Sequence, residues 1–390
     1  MEEIIDKIKP KIISNCEIIN GEDFYGNGFY ILACEDYEKY LKIDSDKLVY
    51  VEEIIKMFTG SNTLIDISNI LYEKFNKKVD VYTFYKILLK NNFINLGSKH
   101  SKDSIKNELS IMSTQLFKIE FENQFNFLKK SSKKIEKVTR IVYCLLFAIS
   151  IICIWNAKYV IDIKNITLKN SPSLAFFTFI VINLIVIVPH ELSHIIVGTA
   201  YGKNLNKITV NLYSGIFIMF IVNFRGLTTL KDREKFHVLI AGIITNLMIF
   251  IVCWGILSLQ WFSNSARDII SIIAISNLFN ALANFSPFFL SDGYFLFSIL
   301  INKYNMRTYL IKKIFLKNNT NELTKKDKKI YIGYIFISLV FIIYMTICLI
   351  FWLMSMIRAR EYALVTIFIF VFIYSKCNVI KNFLKLRKSQ

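Results

Sequence analysis

Residues 174–200 read LAFFTFIVINLIVIVPHELSHIIVGTA, an apolar run that is long enough to cross a membrane as a helix. A bilayer has a hydrocarbon core of about 30 Å, which about 20 helical residues span. Three titratable side chains interrupt this run, namely His190, Glu191 and His194. A charged side chain at the membrane centre costs about 2.5–3.5 kcal/mol on insertion scales, so such residues are by default functional and partnered. The run therefore predicts a membrane helix that carries a functional site.

The composition of the whole chain is that of a membrane protein. Of its 390 residues 54% are hydrophobic, 4 are proline and 7 are cysteine without a CxxC pair, which excludes a disordered, collagenous or disulfide-stapled protein. The net charge of +18 also suits nucleic-acid binding. However, residues 1–128 carry 16 basic and 20 acidic side chains, whereas residues 129–390 carry 32 and 10, clustered at the ends of apolar runs. This distribution favours the lipid bilayer as partner and no nucleic acid.

Apolar runs predict six membrane spans. They are residues 141–155, 174–200, 236–259, 269–301, 330–356 and 362–374. Basic residues precede the first run, nine lie in segment 302–329 and five in the tail 376–390. Because basic loops stay on the cytoplasmic side, we expect a multi-pass protein of the cell membrane with both termini in the cytoplasm. An alternative is that the last two runs, joined by a short turn at Arg358 and Arg360, form a re-entrant element.

Segment 208–223, ITVNLYSGIFIMFIVN, has a different pattern from the spans on either side. It is rich in β-branched and aromatic residues, and Ser214 and Gly215 lie near its middle. This pattern favours a β-hairpin or a re-entrant element over another helix. At membrane depth such a backbone is tolerated only when protein or a water-filled cavity surrounds it.

The N-terminal region predicts a small α+β domain that resembles a winged helix. Its predicted strands are 29–34, 39–43 and 93–96, and its predicted helices are 48–58, 64–75 and 81–90. Thr63 with Asp66 predicts a capping box on the second helix, and Asp80 predicts a cap on the third. The alternative interpretation of this domain is a structural cap or a regulatory appendage.

The sequence HELSH at 190–194 predicts a metal site. Histidines four residues apart lie on one helix face, so both can bind one ion, and Glu191 can reach a water beside it. Catalytic zinc takes three protein ligands, and the membrane region offers one further candidate, Asp292. The six-span topology puts Asp292 at the same depth as the histidines. An HExxH in a soluble helix is usually incidental, but a membrane helix has no water to solvate these groups. The same ligands could also hold cobalt or iron.

Three motifs resemble those of site-2 proteases, a family of intramembrane zinc metallopeptidases. PHELSHIIVGTAYGKNLNKITV, at 189–210, is similar to the family's metal-binding segment. AGIITN, at 241–246, is similar to its third motif, with Ile243 in place of the usual proline. NFSPFFLSDG, at 284–293, is similar to its asparagine–proline–aspartate–glycine motif, with Ser291 where an apolar residue is commoner. The resemblance implies a zinc cofactor bound by His190, His194 and Asp292, with Glu191 as general base and then general acid. It also implies that Asn246 and Asn284 hold the substrate backbone or the oxyanion; helix–helix hydrogen bonds are the alternative for both.

Two further resemblances concern the substrate. The N-terminal domain is similar to winged-helix domains that recognise leader peptides, and LFKIEFENQFNFL at 116–128 is similar to peptide-processing members of the protease family. They imply a bacteriocin- or toxin-type precursor as substrate, with a peptide exporter or modification enzyme as a further partner. We therefore expect the following domains: a cytosolic recognition domain with its linker (1–128), a membrane catalytic core (129–301), a basic loop (302–329), and a C-terminal membrane pair with a basic tail (330–390).

The sequence thus predicts a polytopic α-helical membrane protein that acts as a zinc-dependent intramembrane endopeptidase. Two alternatives stay open. The same enzyme could cleave a single-span signalling protein, or the chain could be an inactive receptor or immunity protein that keeps the fold.

Overall fold

A computed structural model describes most of the chain. The described residues are 8–13, 15–34, 39–43, 45–91, 93–94, 113–121, 172–213, 217–258, 262–288, 291–302, 325–363 and 365–374, together with isolated positions between 134 and 152 and residue 377. The chain divides into two compact units, one of residues 1–105 with Arg225–Lys235 and one of residues 106–224 with 236–390. The domain boundaries predicted at 128, 301 and 329 stay predictions.

The first unit combines a three-stranded antiparallel sheet with three helices. Its strands, in the order β1–β2–β3, are Glu17–Glu22, Gly28–Cys34 and Lys39–Ile43. Its helices are α1 (Leu48–Met57), α2 (Leu64–Phe75) and α3 (Val81–Lys90). The apolar faces of all three helices close over one face of the sheet, with a core that includes Leu32, Ile54, Ile67, Leu71 and Leu88. The five predicted elements between 29 and 90 are confirmed to within one residue at each end.

Both predicted helix caps are confirmed. The Thr63 hydroxyl accepts from the Asp66 N–H at 3.2 Å, and the Thr63 N–H donates to the Asp66 carboxylate at 2.9 Å. The Asp80 carboxylate accepts from the Thr83 N–H at 2.9 Å. These bonds satisfy N–H groups that have no partner inside the helix, and they fix where α2 and α3 begin.

The winged-helix prediction differs from the structure in two strands. β1 was not predicted, and it pairs along its whole length with β2. Of the predicted strand 93–96 the structure describes Phe93 and Ile94: Ile94 makes an isolated bridge to Ile12, and the Phe93 carbonyl accepts from the Ile13 N–H at 2.9 Å. Residues 95 and 96 lie outside the described part. The described end of this region therefore pairs with the segment before β1 and adds no strand to the sheet.

The segment Arg225–Lys235 packs with the β1–β2 turn of the first unit. Lys231 forms an ion pair of 2.5 Å with Glu22, and Arg233 donates to the Phe24 carbonyl at 3.2 Å. The Lys231 ammonium lowers the pKa of the Glu22 carboxyl. Because both side chains of the ion pair are partly exposed, we assign it little stabilising free energy.

The second unit is mostly helical. Its main helices are α4 (Pro172–Ala200), α5 (Asp232–Ser258), α6 (Asn264–Phe285), α7 (Asp292–Leu300) and α8 (Lys325–Arg358). Three helical segments among the described residues are long and apolar enough to cross a membrane, namely Val181–Ala200, Asp232–Ser258 and Ala266–Phe285. Lys329–Tyr344 and Val365–Tyr374 are shorter apolar helices. The first predicted span lies mostly outside the described residues, so a count of six stays a prediction.

The second unit also contains a three-stranded β-sheet, of which two strands follow α4 and precede α5 in the chain. The predicted hairpin is confirmed as β5 (Asn204–Tyr213) and β6 (Phe217–Arg225), although Ser214 and Gly215 lie outside the described residues. A third strand, β4 (Ser113–Glu120), was not predicted and pairs antiparallel with β5. The order β4–β5–β6 puts β6 at one edge of the described sheet.

Two glycines fit the hairpin to α4. Gly202 has a φ of +80°, a left-handed conformation that turns the chain from the helix into β5. Gly198 lies against the Phe224 ring, and a Cβ there would lie 2.5 Å from the ring atoms. This close approach brings β6 beside the last turns of α4.

Candidate metal centre

Helix α4 carries both histidines of the predicted site on one face. His190 and His194 are 3% and 6% exposed, and their rings meet edge to face with centroids 4.8 Å apart. Their Nε2 atoms lie 3.2 Å apart. The four-residue spacing therefore aims both imidazole nitrogens at one point, as the sequence predicts.

Asp292 reaches the same point from the start of α7. Its Oδ2 atom lies 3.1 Å from Nε2 of His190 and 3.2 Å from Nε2 of His194. The predicted fourth span is broken between α6 and α7, and this break ends directly at Asp292. Gly293 permits the turn, since a Cβ there would overlap the backbone at the end of α6. The helix break and Gly293 thus bring Asp292 into contact with two histidines that lie about a hundred residues earlier in the chain.

Two hydrogen bonds join α6 and the break between α6 and α7 to neighbouring helices. The Asn280 amide on α6 donates to the Asn183 side chain on α4 at 3.0 Å, which joins the two helices two turns before His190. The Tyr334 hydroxyl on α8 donates to the Pro287 carbonyl at 3.0 Å. The Tyr334 ring also lies 6.1 Å, centroid to centroid, from that of Phe297 on α7. A tyrosine beyond the three long spans therefore contacts both sides of the break that aims Asp292.

The three side chains fit a tetrahedral metal ion. Two imidazole nitrogens and one carboxylate oxygen form a nearly equilateral triangle with edges of 3.1–3.2 Å. Zinc bonds to such atoms at about 2.0–2.2 Å, which places tetrahedral ligand atoms about 3.3 Å apart. His190, His194 and Asp292 are the group of metal-binding side chains found among the described residues, and no cysteine is part of it. Three converging acceptor atoms suit a cation, and two histidines with one carboxylate suit zinc.

Helix α5 forms the wall behind the histidines. The Val238 carbonyl accepts from Nδ1 of His194 at 2.7 Å. Gly242 lies against both rings, and a Cβ there would lie 2.6 Å from each Nε2 atom. The side-chain amide nitrogen of Asn246 lies 3.0 Å from Nδ1 of His190. Neither the Val238 carbonyl nor the Gly242 clearance was predicted. The apolar run 236–259 predicted the helix, and AGIITN was the signal that pointed to its part in the site.

Glu191 lies next to the triangle without belonging to it. It follows His190 directly on α4 and is half-buried. Its carboxylate accepts a hydrogen bond from the Val222 backbone N–H on β6. This contact links the Glu191 side chain to the edge of the hairpin. As the neighbour of His190 in sequence, the carboxylate is a candidate to exchange a proton with a water beside a bound ion. Its predicted role as general base stays a prediction.

The two asparagines predicted to hold the substrate differ in their surroundings. Asn246 is 1% exposed, and its side-chain amide contacts Nδ1 of His190. Asn284 lies at the end of α6, half-buried, and its backbone carbonyl faces the Ser291 hydroxyl at 3.4 Å. Substrate binding by either residue stays a prediction.

His237, the other histidine that the structure describes, is not part of the metal group. His237 on α5 accepts from or donates to the Tyr201 hydroxyl at 2.6 Å, and the two rings stack. The sequence gives no signal for this contact. His100 lies outside the described residues.

Comparison with known proteins finds a sequence similarity to a protein named as a zinc metalloprotease. A protein of Bacillus subtilis (strain 168) named "Putative peptide zinc metalloprotease protein YydH" is 27% identical to this chain over 211 residues, which cover 54% of this chain and 78% of that protein. No protein-family model and no solved structure matches the chain. The winged-helix resemblance finds no support in these comparisons. The similarity to YydH is weak; together with a His-His-Asp group that could bind a metal and with apolar helices, it supports a metalloprotease.

Proposed function

We propose that this protein is an intramembrane zinc metallopeptidase that hydrolyses a peptide bond in a membrane-associated peptide. The observation that carries the proposal is the triangle of His190 and His194, on an apolar helix long enough to span a membrane, with Asp292 at the start of α7. We further propose that the protein is a multi-pass protein of the cell membrane with both termini in the cytoplasm. That orientation follows from the basic segments 302–329 and 376–390.

The residues around the triangle have distinct proposed roles. When bound, zinc lowers the pKa of a water ligand toward neutrality and polarises a carbonyl. His190, His194 and Asp292 would hold the ion. Glu191 would accept the proton of the attacking water and deliver it to the leaving amine. The Val222 N–H would hold the Glu191 carboxylate during both transfers.

The strand β6 is the proposed docking edge for the substrate. A helical substrate shields its own peptide bonds by hydrogen bonds, so it has to unwind before cleavage. An unwound peptide can add to a sheet edge through main-chain hydrogen bonds. In the described sheet β4 covers β5 on one side, so β6 is the edge of the hairpin next to Glu191. Proline substitutions in segment 208–223 that leave cleavage unchanged would remove this step.

A small precursor peptide is the proposed substrate. The name of the YydH protein contains the words "peptide zinc metalloprotease", which is compatible with this proposal. We propose that residues 1–128 hold a bacteriocin- or toxin-type precursor and so raise its local concentration at the site. A peptide exporter or a modification enzyme would then act on the same peptide.

Metal removal tests the proposed function. We expect the purified full-length protein in detergent to bind one zinc ion per chain and to cleave a hydrophobic peptide. A strong chelator should abolish cleavage, and added zinc should restore it, while magnesium should not, because histidine nitrogens suit zinc far better.

Three outcomes distinguish the alternatives. Zinc content near zero, with a folded protein, would favour an inactive receptor or immunity protein. Recovery of a single-span membrane protein by a trapping variant would favour cleavage of a signalling protein. Recovery of a short precursor would favour peptide maturation.

A further inference from the structure

One face of α5 meets both histidines of the triangle, although it contributes none of the three proposed ligands. Val238, Gly242 and Asn246 are spaced by four residues, so they share this face. The Val238 carbonyl lies 2.7 Å from Nδ1 of His194, and the Asn246 amide lies 3.0 Å from Nδ1 of His190. Both outer nitrogens of the pair are therefore contacted by α5, while both inner nitrogens face Asp292.

The Val238 contact determines the tautomer of His194. A carbonyl oxygen can only accept, so Nδ1 of His194 carries the proton. In the neutral ring the Nε2 atom then has a free lone pair that points into the triangle. Histidine ligands of metals usually donate their second ring N–H in this way to an oxygen acceptor.

Asn246 has the corresponding position at His190, but its amide can be oriented in two ways. If its nitrogen faces Nδ1, the proton of neutral His190 must lie on Nε2, where it would block metal binding. If its oxygen faces Nδ1, the proton lies on Nδ1 and the Nε2 lone pair is free. The amide atom on the other side is buried and has no hydrogen-bond partner in the described part of the chain. His190 is therefore the group that selects the orientation of this amide.

We propose that Asn246 is a positioning residue whose amide oxygen accepts the Nδ1–H of His190 and so keeps the His190 Nε2 lone pair on the metal. This inference rests on the proposed function and deepens it, because it assigns Asn246 to the ligand His190. The asparagine is 1% exposed, so its side chain is enclosed by protein. Losing such an outer-shell partner typically weakens metal binding about 10–100-fold.

Zinc affinity of the full-length protein, measured by chelator competition, tests the inference. We expect Asn246→Leu to weaken zinc binding by about 10–100-fold. Asn246→Asp should stay close to wild type, because a carboxylate oxygen also accepts from Nδ1–H. The matched control is Asn277→Leu on α6, which removes another fully buried asparagine whose amide bonds the Ile273 carbonyl. It should leave zinc affinity unchanged.

Two results would overturn the inference while the proposed function stands. The first is wild-type zinc affinity in Asn246→Leu with a raised KM, which would make Asn246 a substrate contact. The second is an Asn246→Asp variant that binds zinc as weakly as Asn246→Leu. If the leucine variant fails to fold, as judged by thermal unfolding, Asn246→Asp and Asn246→Ala provide the same comparison. A wild-type protein that binds no zinc would contradict both the inference and the proposed function.

Discussion

Replacing Glu191 with glutamine is expected to leave zinc bound and to lower the turnover number by about 10²–10⁴-fold. General acid–base catalysis contributes about this factor, and an amide cannot accept the proton of the attacking water. Glu191 lies outside the triangle of His190, His194 and Asp292, so the change removes no proposed ligand. The glutamine oxygen can still accept from the Val222 N–H, so the side chain should keep its position.

Zinc stoichiometry and initial cleavage rates, measured on the same preparation, check this prediction. Glu120→Gln makes the same chemical change on β4, where the carboxylate forms an exposed ion pair with Lys118, and it should cleave at the wild-type rate. A Glu191→Gln protein with wild-type turnover would exclude Glu191 as the base. Loss of zinc in this variant would instead assign Glu191 to the ligands.

Adding a single methyl group at Gly242 is expected to abolish zinc binding. A Cβ there would lie 2.5 Å from Cε1 of His190 and 2.6 Å from Nε2 of both histidines. A methyl group so close to both ligand nitrogens has to push the two imidazole rings out of their positions, so they no longer converge with Asp292. We therefore expect Gly242→Ala to weaken zinc binding by more than the roughly hundredfold loss that an outer-shell change can cause.

A second glycine provides the matched control for this methyl group. Gly333 lies on α8 with nothing within 4 Å of its ideal Cβ position. Gly333→Ala should keep full zinc affinity and slightly stabilise α8, since alanine is favoured over glycine in helices by about 1 kcal/mol. Chelator competition and thermal unfolding of both variants make the comparison. Equal zinc affinity in Gly242→Ala and Gly333→Ala would mean that the metal, if bound, lies elsewhere.

The three proposed metal ligands could be identified in the sequence. His190 and His194 share a helix face because of their spacing alone, and Asp292 was found because it and Glu191 are the carboxylate side chains inside the six predicted spans. The break before Asp292 was not predicted, since 269–301 was predicted as one span although Pro287 lies within it. Local signals predicted α2 and α3 with both of their caps.

The parts that depend on distant contacts could not be predicted. β1, EIINGE, has few apolar residues, and it is a strand because β2 pairs with it. β4 pairs with β5 across about ninety residues of sequence, and its exposed side chains show no buried face. The contact of Asn246 with His190 depends on how α5 packs against α4, which the sequence AGIITN does not specify.

X-ray absorption at the zinc edge of the full-length protein tests the central claim most directly. With His190, His194 and Asp292 as ligands, the spectrum should contain two imidazoles and only nitrogen or oxygen atoms, at about 2.0–2.1 Å. Asp292→Ala should lose the ion or bind it with a changed ligand set. Sulfur scattering at about 2.3 Å, which would come from one of the seven cysteines, would contradict the account, as would a spectrum without imidazole.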